Sequence, residues 1–247
     1  MVLSTMNDDE KAFEAFRIYT IAIDAYEHFG RDIWEKFKKG TKFPYFQRIY
    51  FDDDRRNKWV MSILCKSKKE MKKGHFWCFC YTTYEIQKKK SNGTNMYDGN
   101  TGKGIIAIDP FAMKSRANGV NIGMGAVIDI TPHAFNRYTQ RYLKPKGLEN
   151  IEFIKKVENI ILRWRHFDVM GDESSNKHND KGIAPYDVFM TGGGILRGYV
   201  VNEMLVRFFS YVSEDMMYKD QKDWQDKINS EYFRWLNQGK IIATNID

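Results

Sequence analysis

AVIDITPHAFNRYTQRYLKP, residues 126–145, reads as a strand that turns straight into a helix. Ala126 to Ile130 are apolar and β-branched apart from Asp129, the composition of a buried strand. Thr131 then stands at a favourable N-cap and Pro132 at the first helical position, where its missing N–H costs nothing. The helix is predicted to run to about Leu143, and Pro145 stops it. His133, Arg137 and Arg141 recur every four residues, which places them along one strip of that helix. Phe135, Tyr138 and Tyr142 fall on the adjoining face and are expected to pack inward.

Such a strip suits phosphodiester chemistry. A histidine titrates near neutrality and can move a 2′-hydroxyl proton or protonate a leaving oxygen. Arginine offers a planar fork matched to phosphate and can stabilise charge building on phosphorus. No metal or other cofactor is needed for that mechanism. A helix N-terminus near Thr131 would also favour an anion. The alternative is an ordinary solvated helix face whose arginines pair with acidic neighbours.

Outward from this core, residues 8–39 carry Phe13, Phe16, Tyr19, Ile23, Tyr26, Phe29, Ile33 and Phe37 at helical steps, with Asn7 or Asp8 as cap and Gly40 as stop. NKWVMSILC (57–65) and HFWCFCYTTYEI (75–86) read as an antiparallel pair of strands. Residues 91–104 are turn-rich, KGIIAIDPF gives a short strand ended by Pro110, and the glycine-rich 115–125 reads as a loop. Downstream come a helix over 149–165, strands near 166–170, 184–190, 195–201 and 204–212, and a last helix over 214–238. The expected fold is therefore α+β. Helices pack on an antiparallel sheet, preceded by an N-terminal helix and β-hairpin extension. The glycines of 111–125 place the expected boundary, dividing an N-terminal helix plus basic β region (1–125) from a helix–helix–antiparallel-sheet domain with a C-terminal helix (126–247).

Ile130-Thr131-Pro132-His133-Ala134, followed by Arg137 and Arg141, resembles the His-Ala-x-x-Arg-x-x-x-Arg helix of small toxin-like proteins related to the barnase–EndoU–colicin–RelE ribonuclease superfamily. The resemblance covers roughly 126–220. It implies a metal-independent endoribonuclease in which His133 is the acid–base group, Arg137 or Arg141 holds the phosphate, and Ser210 or Tyr211 on a late strand hydrogen-bonds substrate or His133. It also leaves room for a protein inhibitor as partner. The long N-terminal half, the loop at 171–182 and the C-terminal helix depart from that pattern.

Charge points the same way. The chain carries net +7, and residues 36–90 hold 16 basic against 5 acidic residues. Lys66, Lys68, Lys69, Lys72, Lys73, Lys88, Lys89 and Lys90 lie in that stretch. A cationic concentration of this kind draws a polyanion such as RNA over about a Debye length. Arg197, beside Gly192-Gly193-Gly194, could add a phosphate contact, although glycines joining two strands more often serve a turn. Trp59, Phe76, Trp77 and Tyr81 could stack bases, but strand alternation makes both faces apolar and so points to burial. Three cysteines, Cys65, Cys78 and Cys80, argue against a disulfide scaffold, and His75 with Cys78 and Cys80 is a weak start to a zinc site. Asp168, Asp172, Glu173, His178 and Asp180 show no metal-ligand spacing.

No apolar run reaches membrane-spanning length, and MVLSTMNDDEKAFEAF lacks the flank and core of a secretory signal, so a cytoplasmic protein of bacterium or host, or one associated with a virion, is expected. Two rivals to the nuclease remain open. One is a nucleic-acid-binding protein without catalysis. The other is an assembly protein of a phage or mobile element.

Overall fold

The computed structural model describes residues 6–37, 42, 45–65, 67–69, 75–86, 102–108, 111–116, 119–121, 126–163, 168–170, 185–190, 192–202 and 204–237. The loop predicted at 171–182 and residues 91–101 of the one predicted at 91–104 lie outside them, as do Asp172, Glu173, His178 and Asp180, whereas residues 102–104 begin a strand. So do the side chains of His75, Phe76, Trp77, Cys78 and Asp168.

The chain is α+β. In order it forms α1 (Asp8–Phe37), β1 (Tyr45–Asp52), β2 (Lys58–Cys65), β3 (His75–Ile86), β4 (Gly102–Ile108), β5 (Phe111–Arg116), β6 (Gly119–Asn121) and β7 (Val127–Ile130). Then follow α2 (Pro132–Tyr138), a π-helical turn (Thr139–Leu143), a 3-10 turn (Lys144–Lys146), α3 (Phe153–Arg163), β8 (Asp168–Met170), β9 (Pro185–Phe189), β10 (Ile195–Asn202), β11 (Leu205–Val212), a 3-10 turn (Glu214–Met216) and α4 (Lys219–Asn237). Contacts divide the chain into two units built from interleaved segments: Met1–Tyr84, Ile105–Asp129 and Asn202–Leu205 form one, and Glu85–Gly104, Ile130–Val201 and Val206–Asp247 form the other.

In the first unit, the strand order runs β1-β2-β3-β4-β7, with β5 on β3 and β6 on β5. The β1–β2 hairpin pairs Tyr45 with Cys65 through Asp52 with Lys58. Its turn is organised by Asp53, whose carboxylate accepts from the Asn57 backbone (2.8 Å), the Arg55 backbone (2.9 Å) and the Trp59 indole (3.2 Å). The expected antiparallel pair β2–β3 is present. Phe79, Cys80 and Tyr81 are consecutive and all buried, so both faces of β3 are covered there and no base can stack on these rings. Burial pushes the Cys80 thiol well up, so it behaves as a small apolar side chain. The glycine-rich 115–125, expected as a loop, instead contains the end of β5 and all of β6, paired antiparallel.

α1 begins as expected at Asn7, in a reciprocal capping box: the Asn7 side chain accepts from the Glu10 backbone (2.9 Å) and Glu10 accepts from the Asn7 backbone (2.8 Å). Its buried face keeps Tyr26 of the expected aromatic stripe but not its first two members. Ala15, Ile18, Ala22, Ala25 and Tyr26 are buried, whereas Phe13 and Phe16 are 66% and 58% exposed. Small residues let the helix backbone lie close to its support. Glu14, on the same face, stays charged by pairing with Arg17 at 2.9 Å and Arg55 at 3.0 Å.

The second unit carries the order β11-β10-β9-β8, with β8–β9 and β9–β10 antiparallel. The Thr131 N–H donates to the Phe208 carbonyl within this unit, and the Val127 N–H to the Met204 carbonyl within the first. Among the described residues no helix is long and apolar enough to cross a membrane.

Candidate functional site

The strip predicted on α2 forms, though not as one regular helix. Thr131 caps it as expected, its hydroxyl accepting from the Ala134 N–H at 3.3 Å with Pro132 in the first turn. Ala134, Phe135 and Tyr138 bury the opposite face. The α-helical part ends at Tyr138 and the chain widens into the π turn that holds Arg141 and Tyr142. Extra-wide turns of this type recur where a helix must re-aim a side chain.

His133, Arg137 and Arg141 are all partly exposed. Arg137 donates from Nε to His133 Nε2 at 3.4 Å, so these two groups meet and that imidazole nitrogen acts as an acceptor. Arg141 donates from Nη1 to the Tyr211 backbone carbonyl at 2.6 Å, which ties the π turn to β11. Partial burial, followed by the nearby charge of Arg137, holds the Arg141 guanidinium below its usual range, while Asp215 opposes this. Arginine nonetheless stays cationic at any physiological pH. Among the described residues, neither Arg137 nor Arg141 forms an ion pair with a carboxylate. Asp215 acts on Arg141 without a short ion pair, and exposed Lys144 follows one turn on.

Ser210 and Tyr211 are not brought to the imidazole. The Tyr211 ring packs edge-on to Tyr138 at 5.1 Å and Tyr142 at 6.5 Å, on the face of β11 that α2 covers. Its hydroxyl donates to the Gly193 carbonyl at 3.2 Å. Strand alternation sends the Ser210 side chain to the opposite face of β11 from Tyr211. Only the backbone of Tyr211 serves the strip.

Tyr211 belongs to a buried cluster centred on Arg163, which the sequence reading did not single out. Arg163 lies over the Tyr142 ring, its Cζ 3.4 Å from the centroid, and donates to the Tyr138 hydroxyl at 3.2 Å and to the Gly193 carbonyl. Burial alone would favour its neutral form. The influence of Tyr138, Tyr211 and Tyr142 outweighs that and raises its pKa. Burial likewise pushes up both Tyr138 and Tyr211, so these hydroxyls stay protonated and act as hydrogen-bonding groups rather than as acids. A lone arginine near a helix C-terminus looks in sequence like an ordinary dipole partner. Only its proximity to three tyrosines from three other elements reveals the cluster.

The Gly192-Gly193-Gly194 segment is the turn favoured from sequence: φ is 81°, 98° and 90° at the three glycines. Arg197, offered as a phosphate contact, is held across β9–β10 by Asp187 at 3.1 Å, and that carboxylate is buried. This pairing serves the sheet. Of the lysines proposed for polyanion binding, Lys68 and Lys69 are exposed, while Lys66, Lys72, Lys73, Lys88, Lys89 and Lys90 lie outside the described residues. Among the described residues no group of three or more His, Cys, Asp or Glu is arranged to hold a metal ion.

No family model, no curated protein and no solved structure matches this chain.

Proposed function

We propose that the protein binds RNA or a similar phosphate polymer through the strip His133–Arg137–Arg141. The observation that carries this reading is a guanidinium resting on an imidazole with a second guanidinium near enough to feel its charge, all partly exposed, without an ion pair from either arginine to a carboxylate among the described residues. Positive charge held close together, with Asp215 offsetting Arg141 only from outside ion-pair distance, favours an added anion. Arg137 keeps its terminal nitrogens for a phosphate while Nε rests on His133. Arg141 spends Nη1 on β11, which orients the rest of its fork. The exposed Lys68 and Lys69 and the net charge of +7 add non-specific attraction.

A second reading, metal-independent cleavage, is favoured by one detail. His133 Nε2 is the acceptor nitrogen of the ring, and its lone pair would become available to a substrate once Arg137 Nε turned from it to a phosphate. As a base it would take the 2′-hydroxyl proton. The 2′-oxygen would then bond to phosphorus, the P–O5′ bond would break, the leaving oxygen would take a proton from water, and a 2′,3′-cyclic phosphate would form. Water has that last role because Tyr211 is committed to Gly193 and Ser210 faces away. Binding is the better supported of the two.

Titration of the full chain with labelled RNA across a salt series tests both. Arg141→Ala should weaken binding about tenfold and lower the salt slope by about one counterion. EDTA should change nothing. Binding unaffected by Arg137→Ala and Arg141→Ala together would refute the assignment. A cyclic-phosphate product that disappears in His133→Ala would establish cleavage.

A further inference from the structure

We infer that the strip takes RNA as a single strand and selects adenine in it, through the side-chain amides of Asn136 and Gln140. This rests on the RNA reading and names the substrate within it.

Asn136 follows His133 by three residues, and Gln140 follows Arg137 by three. Residues three apart are surface neighbours on a helix, so each amide borders the strip. The two amides are themselves four apart and form a second line beside the cations. Both side chains are exposed, and among the described residues neither amide has a hydrogen-bond partner. Neither serves the helix. Thr131 holds the N-cap, and asparagine inside a helix is a poor former unless it caps.

The start of β4 runs past this line without covering it. Gly102, at φ +117°, stands so that a Cβ would lie 3.6 Å from Asn136 Nδ2, and glycine has none. Lys103 comes next and is exposed, with its Nζ 5.2 Å from the centre of the Phe153 ring. A cation thus adjoins the amide line at that end, as Arg137 and Arg141 do along its side.

An amide holds a donor and an acceptor side by side. Adenine offers the complement, an amino donor beside a ring-nitrogen acceptor, on both its Watson–Crick and its Hoogsteen edge. Either edge therefore fits. A pyrimidine has only the first of these edges, and the Hoogsteen edge of guanine carries two acceptors, which suit arginine instead. The deep, narrow major groove of an RNA duplex keeps side chains from the base edges. Amides that read bases from this short helix need those bases unpaired, with the phosphates left to the arginines.

Fluorescence anisotropy of the full chain with oligo(A), oligo(U) and oligo(C) of one length tests this. The wild type should prefer oligo(A) by about tenfold or more. Asn136→Ala with Gln140→Ala should bring oligo(A) down to the level of oligo(U), at a salt slope still set by the arginines. Replacing the adenine amino groups by hydrogen should cause the same loss in the wild type, which separates amide recognition from the stronger stacking of purines. Equal affinity for the three strands, a preference that survives either change, or an A·U duplex bound as tightly as oligo(A) would overturn the inference and leave arginine-dependent RNA binding standing. No arginine-dependent binding to any strand would remove the RNA reading itself, and adenine selection with it.

Discussion

Replacing Arg163 by alanine should be among the most damaging single changes in the second unit. The guanidinium donates to the Tyr138 hydroxyl at 3.2 Å and to the Gly193 carbonyl, and it stacks on Tyr142 at 3.4 Å. A hydrogen bond from a charged donor contributes about 1.5–3 kcal/mol, and a desolvated cation–π contact about 2 kcal/mol. These terms share one side chain and do not add in full. The alanine also leaves a cavity between α3 and the glycine turn. A loss of about 4 kcal/mol is expected. Arg163→Lys should recover little of it, since an ammonium cannot fork to two acceptors while lying flat on a ring. Urea denaturation, read by tyrosine and tryptophan fluorescence, gives the number from the shift in midpoint at unchanged slope. A loss under about 1 kcal/mol for Arg163→Ala would show that the cluster is not held by its cation.

Acid should unfold the first unit by way of Glu14 and Asp53. Burial alone would raise Glu14, but its hydrogen bond to Arg17 overrides this and brings its pKa down to about 2. Asp53 is likewise pulled against its burial to about 2, mainly by its bonds to Asn57. Folded values below the unfolded ones mean the stabilisation is complete above about pH 4.5. It is lost as pH falls toward 2, by roughly 3 kcal/mol or more in total. Circular dichroism across that range should show the loss, and Glu14→Gln should flatten it. Gly194→Ala should cost about 2–4 kcal/mol: φ is +90°, and a Cβ there would collide with the Tyr211 hydroxyl and sit 2.8 Å from the Val212 carbonyl oxygen. Arg197→Ala should destabilise by about 2–3 kcal/mol through Asp187 and change RNA affinity less than Arg141→Ala does, as a melting curve beside the same titration would reveal.

The sequence conveyed most of the element order because its punctuation is local. Thr131-Pro132 opens α2, and the β-branched run of β2 and the aromatic run of β3 give their pairing. What it concealed depends on partners distant in the chain. Phe13 and Phe16 carry the strongest periodic signal in α1, yet the helix rests on its alanines, because close approach to the sheet favours small side chains over large ones. β1 went unread although TyrPheGlnArgIleTyrPheAsp has strand composition, since an edge strand lacks the clean alternation of a half-buried one. Glycines in 115–125 suggested a loop where β5 and β6 pair. At the site, four-residue spacing was enough to bring His133 and Arg137 together. It could not reveal that the Tyr211 hydroxyl is turned to Gly193, or that Arg163 lies beneath the strip.

The wide turn at Thr139–Leu143 alters the phase of everything beyond it. Four residues of α-helix rotate about 400°, so a side chain repeated at that interval drifts some 40° around the axis each time. A π turn advances by fewer degrees per residue and cancels much of that drift. Such winding keeps Arg141 closer in phase to Arg137 than a uniform α-helix would. Deleting one residue from this turn would restore uniform winding and swing the second guanidinium off the line, leaving composition and net charge almost untouched while dispersing the cations.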